Sequence, residues 1–283
     1  MIKLFAIPTG NFMLDGGAMF GVVPKLIWQK FYPADENNML NICMKSLLID
    51  DGQRRVLIDT GIGDKQDAKF FSYYYLNGED SLQKSLSDNN YFYEDITDVV
   101  LTHLHFDHCG GAVHRDAETG KLIPAFPNAQ YWISQSHWDL AMNPNKREAP
   151  SLLHDNFLPL LEHKKLRFIE NDFQLTANIQ LRLFHGHTEG QIIPFIFNGE
   201  KTLVFCADLI PAMFQIPPHY ICAYDTRPLL SMDEKEAFLN EALEKNYILF
   251  FEHDLLNECC TLKSTAKGIR EDKVGLLTDF FNM

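Results

Sequence analysis

Among its six cysteines, Cys43, Cys109, Cys206, Cys222, Cys259 and Cys260, the sequence has no C-x-x-C pair. That leaves zinc-finger and dithiol redox readings without their spacing, and the thiols read as free in a reducing compartment. No apolar run approaches the ~18 residues of a membrane span. The opening, Met1-Ile2-Lys3-Leu4-Phe5-Ala6-Ile7-Pro8, is interrupted by Pro8 before a signal-peptide core could form. The expectation is a cytoplasmic protein. Basic residues are scarce, 25 against 38 acidic for a formal charge of −13, which argues against nucleic acid or an anionic membrane as partner, since both need a cationic face. There is also no low-complexity linker, no repeat of fixed period and no break in composition, so residues 1–283 read as one domain.

What is present is apolar and organised. A 46% hydrophobic content can fill a substantial core. Short β-rich runs end repeatedly in polar residues: Leu47 to Ile49, Val56 to Ile58 before Asp59-Thr60-Gly61, Val99 to Leu101 before His103, and Tyr131 to Ile133 before Ser134. Leu181 to Phe184 precede His185-Gly186-His187, Leu203 to Cys206 precede Asp208, and Ile248 to Phe251 precede His253. The intervening patterns predict helices near residues 66–77, 80–88, 135–142, 151–163 and 233–245. Strands and helices mixed in this way, with polar groups gathered at strand ends, predict an α/β sandwich whose site lies along one edge.

The densest chemistry is Thr102-His103-Leu104-His105-Phe106-Asp107-His108-Cys109-Gly110-Gly111, three imidazoles and a carboxylate directly after a strand. Nitrogen and oxygen donors at this spacing turn toward one point, and the two glycines let the backbone bend tightly behind them. Imidazole with carboxylate suits zinc, and also manganese, iron or cobalt. A single histidine at a strand end is more often structural, and His114, His137, His154, His163, His185 and His219 are read that way. Cys109 and Cys206 read as small buried thiols, and the run Lys263, Lys267, Arg270, Lys273 as a solvated helix face.

With His187, Asp208 and His253 following in that order, the chain resembles the metallo-β-lactamase superfamily. The resemblance covers nearly the whole chain and implies a four-layer αββα sandwich of mixed β-sheets holding two divalent metals about 3.5 Å apart. It places His103, His105 and His187 on one metal, Asp107, His108 and His253 on the other, and Asp208 between them. It also implies a bridging hydroxide as nucleophile, with Asp107 taking its proton, and it makes Asp59 the residue that holds a ligand imidazole in one tautomer. Iron-dependent flavodiiron relatives place Glu where His105 stands. Zinc β-lactamases lack an aspartate at the Asp208 position, and RNA-processing members need a basic surface.

The segment from Leu14 to Trp28, together with the His103–His108 motif, looks like the branch holding quorum-quenching N-acyl homoserine lactonases and methyl parathion hydrolase. This implies cleavage of a small, partly hydrophobic ester or lactone, N-acyl homoserine lactone included. The alternatives are a phosphotriesterase-like hydrolase and a non-catalytic metal-binding sensor. Met19, Phe20, Met142, Phe214, His219 and Tyr224 are the candidates for the substrate pocket, and residues 139–165 for a cap over it. One position departs from the lactonase pattern. The tyrosine expected three residues after the bridging aspartate is Pro211 here, so its contact with the substrate carbonyl falls to Tyr224, His219 or the metal. The oligomeric state is left open.

Overall fold

Successive side chains of the apolar runs end up on opposite faces of a sheet, and that alternation builds the layers. The computed structural model describes residues 2–281. In chain order, β1 (Lys3–Asp15), β2 (Met39–Asp50), β3 (Arg55–Ile58) and β4 (Asp98–Val100) precede a small hairpin, β5 (Val113–Arg115) and β6 (Leu122–Pro124). With β7 (Gln130–Ser134) and β8 (Leu166–Ile169), the first four strands form a six-stranded sheet of order β1-β2-β3-β4-β7-β8. The second sheet takes β9 (Phe173–Thr176), β10 (Ile179–Phe184), β11 (Gln191–Asn198), β12 (Lys201–Phe205), β13 (Ile248–Phe250), β14 (Cys259–Thr265) and β15 (Gly268–Gly275) in the order β15-β14-β13-β12-β11-β10-β9. Both sheets are mixed. β3, β4, β7 and β8 run parallel to one another, as do β12 and β13, and the other pairs are antiparallel.

Leu47, Ile49, Val56, Ile58 and Val100 face inward, in one core with Leu181, Ile193, Phe195, Leu203 and Phe205 of the second sheet. Their neighbours Leu48, Leu57, Val99 and Leu101 point the other way, onto Leu82, Leu86, Trp138 and Ala141 of the covering helices. Covering both faces explains why these strands read as nearly continuous apolar runs rather than as an apolar–polar alternation. Beyond the second sheet, Phe238 of the helix Pro228–Glu244 meets Phe184 and Phe195 edge-on at 6.4 and 6.1 Å. The result is the αββα arrangement that the resemblance implies.

Two buried charges are built into these layers. Asp98 of β4 accepts from both Arg54 guanidinium ends, from Trp132 Nε1 at 2.9 Å and from Thr97 Oγ1 at 2.7 Å. Burial alone would raise its pKa, but these donors outweigh burial and hold it below the ordinary value. Lys235, 1% exposed, donates to the carbonyls of Gln215 at 3.0 Å and Tyr220 at 2.7 Å. Its burial pulls the ammonium down to about 8.

The helices partly differ from expectation. The helix Gln135–Met142 stands where predicted, capped by Ser134, and Leu82–Asp88 begins under a Ser81 cap. The stretch 66–77 keeps only Ala68–Ser72, because the chain turns through a left-handed Tyr75 (φ 45°). Residues 151–163 break into a 3-10 turn at His154–Asn156 and a short helix Leu158–Glu162, since Pro159 cannot continue a helix through its missing N–H. The last helix starts earlier than predicted, at Pro228, a residue suited to a first helical position. The Lys263, Lys267, Arg270, Lys273 run is not a helix. It lies on β14, the turn and β15, where residues paired across a two-stranded ribbon can be solvated without helical spacing. Gly16 and Gly17 open a short helix, Gly16–Phe20, whose Ala18 N donates to Asp15 Oδ1 at 2.8 Å. Pro8 sits within β1, tolerated because β1 is an edge strand with a register shift between Pro8 and Gly10.

Candidate metal centre

The ligand-rich segment leaves β4 at Val100 and folds into a single helical turn, Phe106–Cys109. Two anchors hold it. Leu104 N donates to Nε2 of the buried His137 at 2.8 Å, and the His108 carbonyl accepts from Thr60 N at 2.8 Å and from Thr60 Oγ1 at 3.0 Å. His137, read from the sequence as structural, thus fixes the backbone between His103 and His105. Gly110 serves close approach rather than bending. Its φ is −58°, within reach of any residue, but a Cβ there would lie 2.0 Å from the Ile62 carbonyl oxygen.

His187 follows β10, Asp208 follows β12 and His253 follows β13, so the second sheet delivers three side chains to the same edge. Donor atoms of His103, His105, His187 and Asp208 lie within 4.8 Å of one another, and those of Asp107, His108 and His253 do likewise. His105 Nδ1 is 3.0 Å from His103 Nε2 and 3.2 Å from His187 Nε2, and His253 Nε2 is 3.2 Å from His108 Nε2. Asp208 lies between the groups, with Oδ2 at 3.1 Å from His187 Nε2 and Oδ1 at 3.2 Å from His253 Nε2. Asp107 Oδ2 is 3.7 and 3.8 Å from His108 and His253 Nε2.

The outward nitrogens are mostly engaged. His103 Nδ1 meets Thr102 Oγ1 at 3.0 Å, and that hydroxyl donates to Asp59 Oδ2 at 2.6 Å. His108 Nδ1 lies 3.1 Å from Asp59 Oδ2, His187 Nδ1 lies 3.1 Å from Asp225 Oδ1, and His253 Nδ1 donates to the Cys43 carbonyl at 2.8 Å. Each of these imidazoles therefore turns a lone pair inward. Burial, then the neighbouring imidazoles, hold His103 and His105 well below the ordinary histidine value. Burial alone would raise Asp208, but His108, His187 and His253 outweigh it and hold the carboxylate ionised.

Facing lone pairs 3.0–3.2 Å apart repel one another unless something positive sits between them. The edge of a tetrahedron with ligands at about 2.0–2.1 Å is roughly 3.3–3.4 Å, close to these separations. The donor set therefore fits divalent metal, and both nitrogen and oxygen donors are of the kind zinc takes.

A cavity of about 320 Å³ opens onto this cluster. Of the sequence candidates for its wall, Met19 and Tyr224 line it. Phe20 does not, because it is stacked at 4.8 Å on Trp28 and at 4.7 Å on Phe214, which draws both phenylalanines into an aromatic core behind the wall. His219 sits beside Pro217 and Pro218 in a separate depression, and Met142 ends its helix outside the cavity. Of the cap candidates, Arg147, Glu148 and Ser151 reach the cavity, whereas Leu152, Phe157 and Leu160 pack into the core outside the first sheet.

Several residues at the centre escaped the sequence reading. Glu252 Oε2 is 3.1 Å from His108 Nδ1, and burial pushes this carboxyl up. Its one sequence signal was adjacency to His253. Glu148, 4% exposed, accepts from Thr188 Oγ1 at 2.5 Å and stands 4.0 Å from His105 Nε2, a buried nitrogen without another partner. Asp225 and Glu148 lie in irregular chain, where no periodicity marks them.

Fold and site together describe a metal-dependent hydrolase of the four-layer αββα class. The chain belongs to the metallo-beta-lactamase superfamily, whose model matches residues 45–253. It is similar to a probable metal-dependent hydrolase from Staphylococcus aureus, with a TM-score of 0.89 and 30% identity over 97% of this chain and 96% of that one. Its sequence is 24% identical over 270 residues to the N-acyl homoserine lactonase AiiA of Bacillus thuringiensis subsp. kurstaki, covering 90% of this chain and 94% of that protein. The fold also matches AidC, a dizinc quorum-quenching lactonase in complex with a product, with a TM-score of 0.80 and 23% identity over 98% of this chain and 95% of that one. No helix among the described residues is long and apolar enough to cross a membrane.

Proposed function

We propose that the protein is a dinuclear metal hydrolase, zinc being the metal its donors suit best, that opens a small, partly hydrophobic lactone or ester. The observation that carries this reading is the inward convergence of five imidazoles and two carboxylates on a cavity large enough for a small molecule. His103, His105 and His187 would hold one metal, Asp107, His108 and His253 the other, and Asp208 both. Bound there, two divalent ions would supply a water of lowered pKa and polarise the attacked oxygen.

The chain's own residues do the rest. Asp107 lines the cavity beside the ligand imidazoles, where its carboxylate can take a proton from the attacking water and return it to the leaving oxygen. Tyr224 also lines the cavity, and partial burial holds its phenol above the ordinary value, so it stays a donor. It takes the carbonyl contact that Pro211 cannot make. Leu14, Met19, Ile42 and Phe106 present an apolar wall for an acyl chain. Residues 147–151 cap one side of it.

The test is turnover of a chromogenic lactone, an ester and a phosphotriester before and after chelation, with zinc added back. Lactone or ester turnover that falls on chelation and returns with zinc is expected. His105→Ala and Asp208→Ala should lose bound metal and most activity together. Full metal content with unchanged turnover in either variant would overturn the assignment, and turnover of the phosphotriester alone would move the substrate class.

A further inference from the structure

Arg147 is the one Lys or Arg among the described residues that line the cavity. It stands at the rim, on the segment between the helix Gln135–Met142 and the 3-10 turn Ala149–Ser151, and is exposed. Its Nη2 donates to the Ala223 carbonyl, and Ala223 also lines the cavity. The same nitrogen lies 3.5 Å from the Asp225 carbonyl. These partners are backbone dipoles, and no carboxylate pairs with the guanidinium among the described residues. The adjacent carboxylate, Glu148, is turned away onto Thr188 and Asn145. Nε and Nη1 make no hydrogen bond to the described protein, so a fixed cation keeps free donors at the mouth.

In a chain of formal charge −13, an unneutralised arginine tethered at the rim of an apolar cavity is a selective feature. A guanidinium held through Nη2 and open at Nε and Nη1 can give a substrate carboxylate a charge-assisted N–H bond. Resting on the hydrolase reading above, we propose that Arg147 determines specificity. It recognises a carboxylate on the substrate, set apart from the scissile carbonyl, in a cavity that Met19 and Ile42 also line. The substrate class is then an ester or lactone with an anionic tail, rather than a wholly neutral acyl lactone. Arg147 acts in binding and takes no part in bond breaking.

The test uses the metal-loaded enzyme and a pair of aryl esters that differ only in the acyl terminus, one a carboxylate and the other its methyl amide. The measured quantity is the ratio of kcat/KM for the anionic ester over the neutral one. The wild type is expected to favour the anionic ester, and Arg147→Gln to lower the ratio roughly tenfold through a higher KM for the anionic ester, as loss of a charge-assisted pair at a solvated rim implies. Arg147→Lys, which keeps the charge without the tethered planar guanidinium, should fall between, and it answers the question if the Gln variant fails to fold. An unchanged ratio in a folded Arg147→Gln, or a wild type that prefers the neutral ester, overturns the proposal. Absence of chelator-sensitive turnover on both esters, and on lactones, would instead sink the hydrolase reading itself.

Discussion

Asp225 offers the sharpest test of how the centre is held. The perturbation is Asp225→Ala. In the native protein its carboxylate, 5% exposed, lies 3.1 Å from Nδ1 of His187, which is itself 5% exposed. That contact sets the tautomer that leaves Nε2 facing Asp208 and His105. Removing the carboxylate strands a buried N–H, at a cost of about 1–3 kcal/mol, and frees the ring to take the other tautomer. Groups in this position typically govern metal affinity by 10–100-fold, which corresponds to about 1.4–2.7 kcal/mol, so the two estimates agree. Asp225→Asn keeps an oxygen that can still accept from Nδ1–H, and it should sit near the lower bound. The assay is competition for zinc against a chromogenic chelator, with the melting temperature of each metal-loaded variant as control. Affinities for Asp225→Ala within twofold of wild type would refute the reasoning, because the ring would then be positioned by its packing alone.

Two further outcomes concern stability. Asp98→Asn should reduce the unfolding free energy by about 1–3 kcal/mol, since it removes the buried charge to which Trp132, Thr97 and the half-buried Arg54 donate. Because the folded pKa of Asp98 lies below the unfolded one, its contribution is present above about pH 4 and fades as pH falls, so the gap between variant and wild type in urea titrations should narrow in acid. A gap independent of pH would count against the ion pair. Lys235 runs the opposite way. Its folded value of about 8 lies below the unfolded value of about 10.4, so the unfolded chain binds the extra proton between those limits and stability from this group rises with pH there. The wild-type-minus-Lys235→Met difference should shift by about 3 kcal/mol across that window, and a flat difference would mean that Lys235 is not buried as described.

The parts of this molecule legible in the sequence are those whose signal is local. His103, His105, Asp107 and His108 announce themselves because one strand end and one helical turn hold them all. The inward strand residues do so because covered faces demand continuous apolar runs. His187, Asp208 and His253 could be placed with them only through the resemblance, since nothing local says that three separate strand ends meet. The cavity wall was least legible. Phe20 and Phe214 have the composition of a pocket lining, yet mutual stacking with Trp28 takes them out of it. Arg147 and Glu148 look like ordinary polar residues until the fold brings Ala223 and Thr188 against them. Short helices misled for a related reason, because the apolar pattern at 151–163 runs on across Pro159 although a helix can only begin there.

Neither group of ligands comes from one sheet. His103 and His105 leave the first sheet and meet His187 and Asp208 from the second, while Asp107 and His108 meet His253 across the same seam. An ion seated there would add a cross-link between two halves that also meet through apolar contact and a few hydrogen bonds, such as Ser134 Oγ to the Gly190 carbonyl, and so would couple loading to folding. The segments around residues 14–20, 145–151 and 211–224 shape the cavity, yet within them only the rim and wall face the substrate. Such a protein can exchange its mouth while its seam stays riveted.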